Sequence, residues 1–316
     1  MDEYTKKTKY WLDARFKQVD RDGIYYAHQP IYGFRRGHCE RDLISRFTRT
    51  YQIMKALSHL RFNSLLDVGG AEGFTAYRIK EIFNVKVRNS DLSEEACKRA
   101  KEIFNIESDP VDIHELPYKD NEFDIVLSSE TLEHVTNLDK AISELIRVAK
   151  KAIIITVPHE DDAIIERNIK EKIPHAHIHS FHPGSFHVLE SRGYRVFKKR
   201  MINSILRIPM ILVNVQVSEC TSNRGISQKN EISKIFIQIY NTLVSVLLKI
   251  FGKKAISFMV QLDGFICNFV PFYNAAFLFI ILKDDKCYMK KEHKKISVSK
   301  ILEFSVPYYY LNKEGI

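Results

Sequence analysis

A glycine-rich turn between a short apolar run and a helix-period segment is the first feature that could do chemistry. It reads LLDVGGAEG over residues 65–73. Such a turn brings backbone N–H groups and a helix N-terminus close to a ligand. Two acidic residues follow at the ends of later apolar runs, Asp91 in NSDLS and Asp112 in VDIHEL. A carboxylate can accept two hydrogen bonds from a diol, although each Asp taken singly could equally be a cap or turn residue.

The spacing of the glycines distinguishes two kinds of nucleotide-binding turn. A dinucleotide-binding G-x-G-x-x-G that begins at Gly69 would need glycine at positions 71 and 74, which are Ala71 and Phe74. The alternative is an acidic-x-G-x-G-x-G pattern, whose four key positions here are Asp67, Gly69, Ala71 and Gly73. Three of the four match. Ala71 is the departure, because it adds a methyl group where backbone usually approaches a ligand.

This order of motifs resembles class I S-adenosylmethionine-dependent methyltransferases, in particular the family of ubiquinone and menaquinone biosynthesis methyltransferases. The resemblance covers about residues 62–200 and the final strand. It implies S-adenosylmethionine as the cofactor and assigns parts of it to residues of this chain. The amino acid end would be held by Asp67, Gly69, Gly70, Ala71 and Gly73, the ribose by Asp91 with Leu92 beside it, the adenine by Asp112 and Ile113, and the methionine portion by Ser128.

A second group of chemical residues lies in SSETLEHV, where Glu130, Glu133 and His134 have E-x-x-E-H spacing. Methyl transfer to a hydroxyl requires a proton acceptor, and we predict His134 and Glu133 for that role. Five of the twelve histidines follow within thirteen residues, at 175, 177, 179, 182 and 187. The alternatives are a divalent metal or a purely structural turn. A metal would be held by Glu130, Glu133, His134 and one of His175, His177 and His179, with His179 taken as the fourth ligand.

The elements that must position these residues alternate between strands and helices from about residue 62, which indicates a parallel α/β sheet with crossover helices. We predict strands at 64–70, 85–91, 109–113, 123–129, 152–157, YRVF (194–197) and 275–282. Helices should begin near Gly73, after Ser93, after Asn137 and at Pro183, the last ending at Gly193. The expected fold class is α/β, a doubly wound Rossmann-like seven-stranded methyltransferase sheet with an N-terminal helical cap and a helical insertion before the last strand.

The chain divides into four segments on this reading. Residues 1–60 form a basic and aromatic cap with a helix from Asp42 to Leu60, residues 61–200 the cofactor-binding core, 201–274 an apolar insertion, and 275–316 the last strand and a Lys-rich tail. Within the insertion, residues 232–251 predict an amphipathic helix whose polar stripe is Lys234, Gln238, Asn241, Ser245 and Lys249. The insertion is either a lid over the substrate or a contact with an anionic membrane.

The charge is also distributed unevenly along the chain. The net charge is +9, but residues 61–160 carry −6 while the flanking blocks 1–60, 161–200 and 201–316 carry +5, +3 and +7. Nucleic acid is therefore not the expected partner, although Tyr25, Tyr26, Tyr32, Phe34, Arg35 and Arg36 could grip an anionic acceptor. Five cysteines without a CxxC pair, and the absence of an apolar leader, predict a cytoplasmic protein with reduced thiols.

The expected activity is methyl transfer to a small-molecule, sugar or lipid-linked acceptor, by O-methylation. Two alternatives stay open at this point. One is a metal-dependent RNA 2′-O-methyltransferase, and the other is a non-catalytic module that binds S-adenosylmethionine.

Overall fold

The structure is a computed structural model and describes residues 1–17, 41–201, 249–266 and 276–302, with single positions between 235 and 247. The predicted aromatic and basic residues at 25–36 lie outside the described residues. So do Lys234, Asn241 and Ser245 of the predicted polar stripe.

Helices and strands alternate through the middle of the chain. The strands are β1 Ser64–Val68, β2 Lys86–Asp91, β3 Ser108–Pro110, β4 Phe123–Ser129, β5 Ala149–Pro158, β6 Arg195–Met201 and β7 Ala276–Leu282. The α-helices are α1 Glu3–Lys17, α2 Arg41–Leu57, α3 Phe74–Phe83, α4 Glu94–Phe104, α5 Leu138–Val148, α6 Asp162–Glu171, α7 His187–Ser191, α8 Lys253–Ile266 and α9 Val298–Leu302. Short 3-10 turns lie at Leu132–His134 and Asp285–Cys287.

The strands form one seven-stranded sheet in the order β3-β2-β1-β4-β5-β7-β6. Strands β1 to β5 pair in parallel, whereas β7 pairs antiparallel with both β5 and β6. The order reverses beside β1, where the chain leaves toward β2 and later returns through β4. In an open α/β sheet, ligands bind outside the carboxyl ends of the strands at such a point. The predicted doubly wound, seven-stranded α/β sheet is confirmed.

Apolar strands explain why both faces of the sheet are covered. One face packs against α2, α3 and α8, through side chains such as Phe47, Ile79 and Met259. The other face packs against α5 and α7, where Leu145 and Leu189 contact the cluster. The glycine-rich turn and the ends of β2 and β4 are therefore carried by a packed core, which holds the candidate site in place.

Several predicted boundaries were wrong, among them the start of β5, which is Ala149 and not residue 152, and the end of β6, which is Met201 and not residue 197. Strand β3 ends at Pro110 and not at residue 113, because the chain then turns and the Asp112 carboxylate accepts from the His114 N–H at 3.0 Å. Residues 183–186 form turns, so the helix begins at His187 and not at Pro183. Helix α2 ends at Leu57. Polar turn chemistry outweighs helix or strand propensity at such ends.

The insertion before β7 is described in part. Its described positions between 235 and 251 are helical and exposed, including Gln238 and Lys249 of the predicted polar stripe. The apolar positions there are exposed as well, namely Ile235, Ile239, Leu243, Val246, Leu247, Ile250 and Phe251. Helix α8 is anchored by the buried residues Ile256, Met259 and Val260 but exposes Phe258 and Phe265. Within the described residues, no helix has both the length and the apolar character to cross a bilayer.

Candidate active site

The glycine-rich turn after β1 is held in left-handed conformations that explain its composition. Gly69 and Gly73 have φ values of +75° and +76°, and Ala71 has +49°, which is unusual for a residue with a side chain. The N–H groups of Gly69 and Gly70 both donate to the Ser90 carbonyl, at 2.8 and 3.1 Å. The turn is thereby fixed to the end of β2, and its loop curls above the carboxyl edge of the sheet.

Close packing, as well as conformation, requires the glycines. A Cβ on Gly69 would stand 2.2 Å from Thr131 Oγ1, and one on Gly70 would stand 2.0 Å from Asn89 Oδ1. A Cβ on Gly73 would stand 2.9 Å from the Ala100 Cβ. Asn89 and Thr131 were not predicted as site residues, since neither lies in a recognisable motif.

A buried ion pair supports the same turn. Glu72 accepts from Arg99 of α4 at 2.7 Å, and both side chains are 1% exposed. This contact joins the turn to the helix that follows β2. Neither residue was predicted as part of the site, because a charged residue beside a glycine motif has no distinguishing signal until the partner's position is known.

Asp91 lies where the sequence placed it, at the end of β2. Its two carboxylate oxygens accept separately, Oδ2 from the Ala71 N–H at 2.9 Å and Oδ1 from the Ser93 N–H at 2.8 Å. Burial raises the pKa of Asp91 to about 6, and these backbone hydrogen bonds oppose that rise. The arrangement fixes the carboxylate at the mouth of the turn, where its remaining lone pairs can accept from a diol.

Two buried polar atoms beneath the turn have no hydrogen-bond partner, Asp67 Oδ2 and Ser128 Oγ. Asp67 is 1% exposed, and burial together with the negative charge of Asp91 raises the pKa of Asp67 to about 7. Buried polar atoms in folded proteins are nearly always satisfied, so these atoms call for a ligand. The cationic amino group and the hydroxyls of S-adenosylmethionine would supply donors, so the residues present fit this cofactor.

The two residues predicted to bind adenine, Asp112 and Ile113, already make contacts within the protein. Asp112 pairs with His114 Nδ1 at 2.6 Å, and His114 Nε2 accepts from the Asn137 N–H at 3.2 Å. Burial raises the pKa of Asp112, but the hydrogen bonds from His114 outweigh it and the pKa is lowered. Ile113 is buried beside this pair and Leu92 is half-buried next to Asp91.

Helix α1 crosses the carboxyl edge of the sheet and connects the two predicted groups of residues. At one end Asp13 accepts from Ser93 Oγ at 2.6 Å, which is next to Asp91. At the other end Asp2 accepts from Thr136 Oγ1 at 2.7 Å, and Tyr4 donates to the Ile173 carbonyl at 2.9 Å. Between them Trp11 packs against the His175 ring, with centroids 5.2 Å apart. Helix α1 therefore contacts both the start of the helix after Asp91 and the histidine segment.

Glu130 occupies a strained position at the end of β4. Its φ is +55°, and its N–H donates to the Thr156 carbonyl at 2.8 Å. Arg49 of α2 pairs with its carboxylate at 2.8 Å, and Thr156 Oγ1 donates to the same carboxylate at 3.2 Å. A left-handed residue that is not glycine costs on the order of 1–3 kcal/mol, and such residues cluster at functional sites.

Glu133, His134 and His177 come together below this position. One potential ligand atom from each lies within 4.8 Å of the other two. Glu133 is fully buried, and neither carboxylate oxygen has a hydrogen-bond partner. Burial and the charge of Glu130 raise the pKa of Glu133 to about 8, while burial lowers the pKa of His134 well below its usual value. Burial also lowers the pKa of His177, but the hydrogen bond to Glu160 and the charge of Glu133 raise it to about 9.

The other predicted histidines have separate positions. His175 stacks on His134 with ring centroids 3.8 Å apart, and burial lowers its pKa to about 3. His179 bonds the Val135 carbonyl at 2.7 Å and is not part of the group. His182 bonds the Gly184 N–H at 3.1 Å, and His187 is exposed. Residues two apart in an extended segment share a face, so positions 175, 177 and 179 are equivalent by spacing, and spacing alone could not select His177.

Comparison with known proteins agrees with the geometry. Residues 66–155 match the family described as "Methyltransferase domain". The chain is 34% identical over 101 residues to norajmaline N-methyltransferase of Rauvolfia serpentina, covering 30% of this chain and 35% of that protein. It is 31% identical over 116 residues to the ubiquinone/menaquinone biosynthesis C-methyltransferase of Francisella tularensis, covering 34% of this chain and 46% of that protein. The chain thus spans less than half the length of these relatives.

One solved structure is similar to this chain at low identity. A S-adenosylmethionine-dependent methyltransferase from Archaeoglobus fulgidus aligns with 74% of this chain and 93% of its own, at 17% identity and a TM-score of 0.44.

The sheet order, the glycine-rich turn and the family match define a class I methyltransferase domain. Residues 66–155 are therefore a methyltransferase domain of this class, and the match extends from β1 to β5.

Proposed function

We propose that this protein transfers a methyl group from S-adenosylmethionine to the oxygen of a small-molecule, sugar or lipid-linked acceptor. The observation that carries the proposal is the pairing of two sites under one helix. A cofactor cradle at Asp67, Asp91 and the glycine-rich turn lies at one end of α1, and a buried group of proton-binding side chains lies at the other.

The cofactor supplies an electrophilic methyl group on a sulfonium. This chain's own contribution is positioning and proton removal. Asp91 would orient the ribose, Asp67 and Ser128 would accept from donors under the turn, and α1 would exclude water from above. Thr131 packs against Gly69, so the segment that leads to Glu133 and His134 begins directly beside the cradle.

Proton acceptance is the task proposed for Glu133 and His134. A base works best when its pKa lies near the working pH, and Glu133 has that property with a pKa of about 8. His134 Nε2 lies 3.7 Å from Glu133 Oε1, so a proton could be shared between them after small movement. A hydroxyl acceptor needs this help, whereas a neutral amine can attack without it.

An amine acceptor is the second candidate, and one observation favours it. The relatives from Rauvolfia serpentina are named as N-methyltransferases of norajmaline and ajmaline. For such an acceptor, the Glu133 and His134 group would not be needed for proton removal before transfer.

We further propose that the insertion contacts an anionic membrane surface. Seven described apolar positions between 235 and 251 are exposed, and so are Phe258 and Phe265 of α8. Lys249 and Lys254 are exposed in the same stretch. Apolar side chains combined with cations suit the boundary of an anionic bilayer, and the exposure of these positions favours that contact over a lid packed on the sheet.

The test begins with calorimetry of S-adenosylhomocysteine binding. Titration of wild-type protein should give a saturable heat signal. The variant Asp91→Asn should lose most of the affinity, whereas Asp139→Asn, at an exposed residue of α5, should keep it. Absence of heat with wild-type protein would overturn the proposal.

Methyl-labelled cofactor incubated with fractionated lysate then identifies the acceptor. Label in the lipid extract or small polar pool supports the proposed acceptor, whereas label in RNA supports RNA methylation instead. Calorimetric binding without label in any fraction would indicate a non-catalytic module.

A further inference from the structure

A carboxylate and two imidazoles meet in the interior without satisfying one another. Glu133, His134 and His177 each direct a potential ligand atom to a common point, within 4.8 Å of one another. Both carboxylate oxygens of Glu133 are buried and have no hydrogen-bond partner. A buried carboxylate without a partner is costly, so these two oxygens favour a bound cation or a proton.

The two imidazoles are already oriented by acceptors behind them. His134 Nδ1 lies 3.1 Å from the Ala176 carbonyl, and His177 Nδ1 lies 2.9 Å from Glu160 Oε2. A carbonyl can only accept, so His134 donates through Nδ1 and keeps its lone pair on Nε2. The Glu160 carboxylate sets the same tautomer for a neutral His177. Metal-binding histidines show this arrangement, in which one nitrogen donates to a carboxylate or carbonyl and the other binds the ion.

Glu130 and His179, which the sequence also offered as metal ligands, are engaged in other contacts. Glu130 is paired with Arg49 at 2.8 Å, and His179 bonds the Val135 carbonyl at 2.7 Å. The ligand set that the geometry supports therefore differs from the one that the E-x-x-E-H spacing suggested, because His177 takes the place given to His179.

We propose that Glu133, His134 and His177 form a binding site for one divalent transition-metal ion. Two imidazoles and one carboxylate suit Zn²⁺, Co²⁺, Mn²⁺ or Fe²⁺, and they do not suit Mg²⁺, which prefers oxygen ligands.

The role of the ion rests on the proposed function, and in the metal-bound protein it replaces the proton acceptance assigned there to Glu133 and His134. Three protein ligands leave at least one coordination position open, which could take the acceptor oxygen and orient it toward the methyl donor. Metal binding itself does not depend on that role, and it can be measured without any acceptor.

The experiment titrates chelator-treated protein with Co²⁺, followed by visible absorption and calorimetry. One ion per chain should bind, with the intense d–d bands of low-coordinate cobalt. Glu133→Gln should abolish the bands, and His179→Asn, a matched change two residues from His177, should leave them intact. Glu160→Gln should lower Co²⁺ affinity by about 10-fold to 100-fold, as loss of an orienting partner does.

Binding of S-adenosylhomocysteine by each variant serves as the folding control. A variant that binds this ligand but not Co²⁺ has lost the metal site alone. The inference is overturned if folded wild-type protein takes up no Co²⁺, or if Glu133→Gln and wild type bind it equally. Neither outcome bears on cofactor binding, so the proposed function is judged separately.

Discussion

Asp13 of the N-terminal helix accepts a 2.6 Å hydrogen bond from Ser93, the residue that caps the helix after β2. Ser93 Oγ also accepts from the Ala96 N–H, and the Ser93 N–H donates to Asp91. The cap helix, the start of α4 and the predicted ribose-binding carboxylate are therefore connected through one serine. Cofactor binding and the position of α1 should be coupled.

Trp11 offers a direct measure of that coupling, because it is the single tryptophan of the chain. Asp13→Ala removes the acceptor at Ser93, which costs about 1–3 kcal/mol for a hydrogen bond to a charged group. We expect a red shift of tryptophan emission and faster dissociation of S-adenosylhomocysteine. Glu3→Ala, on an exposed residue of the same helix, should change neither; equal effects of the two substitutions would contradict the coupling.

Asp67 should make cofactor binding and stability depend on pH in opposite senses. Its pKa is raised from 3.8 to about 7 in the folded chain, so between about pH 4 and 7 the folded state binds more protons than the unfolded state. Its contribution to the free energy of unfolding therefore falls as pH rises through this window. The affinity for S-adenosylhomocysteine should instead rise, since the ionised carboxylate is the better acceptor.

The variant Asp67→Asn tests the predicted pH dependence of both the stability and the S-adenosylhomocysteine affinity. The neutral amide should stabilise the folded chain more at pH 8 than at pH 5, by about 3 kcal/mol, because the titration window between pH 5 and pH 7 spans two pH units and each corresponds to about 1.4 kcal/mol. It should also remove the part of the affinity rise centred near pH 7. Chemical denaturation and calorimetry at both pH values are the measurements; a variant less stable than wild type at pH 8 would count against the argument.

Gly70→Ala should damage the turn even though alanine is small. Its Cβ would stand 2.0 Å from Asn89 Oδ1, and Asn89 is held by bonds from its amide to the Ala71 carbonyl and Ser108 Oγ. Moving Asn89 should cost about 1–3 kcal/mol, as overpacking does, and weaken cofactor binding. Gly264→Ala in α8 meets no atom within 4 Å and should be neutral or stabilising, by up to about 1 kcal/mol. Thermal unfolding compares the two variants. Equal changes in unfolding temperature would show that close packing at the turn does not require a glycine at position 70.

The membrane contact is tested by sedimentation with liposomes. Wild-type protein should pellet with anionic vesicles at low salt and much less with neutral ones, because screening weakens attraction to the surface. The variant Phe258→Ser should reduce pelleting while its unfolding temperature stays unchanged, since this side chain is exposed. No pelleting of wild type at low salt would exclude the contact.

Local patterns predicted most of the matched domain. Apolar runs located β1, β2, β4 and β5 to within a few residues, and Ser93 and Asn137 cap helices as expected. These features depend on residues that are neighbours along the chain, so rules of periodicity and capping can predict them. The end of β3 and the start of α7 were missed, since a few polar turn contacts decided them.

Some site residues could likewise be predicted from the sequence, whereas others could not. Asp67, Asp91 and the glycines stand in one short motif order, so the sequence by itself determined the cofactor turn and the strand ends that carry it. Only the tertiary structure selected His177 over His179, paired Glu72 with Arg99, brought Asn89 against Gly70 and laid α1 across both groups. Each of these contacts joins residues far apart along the chain, and the distance between such residues is set by how helices pack on the sheet, which no local spacing encodes.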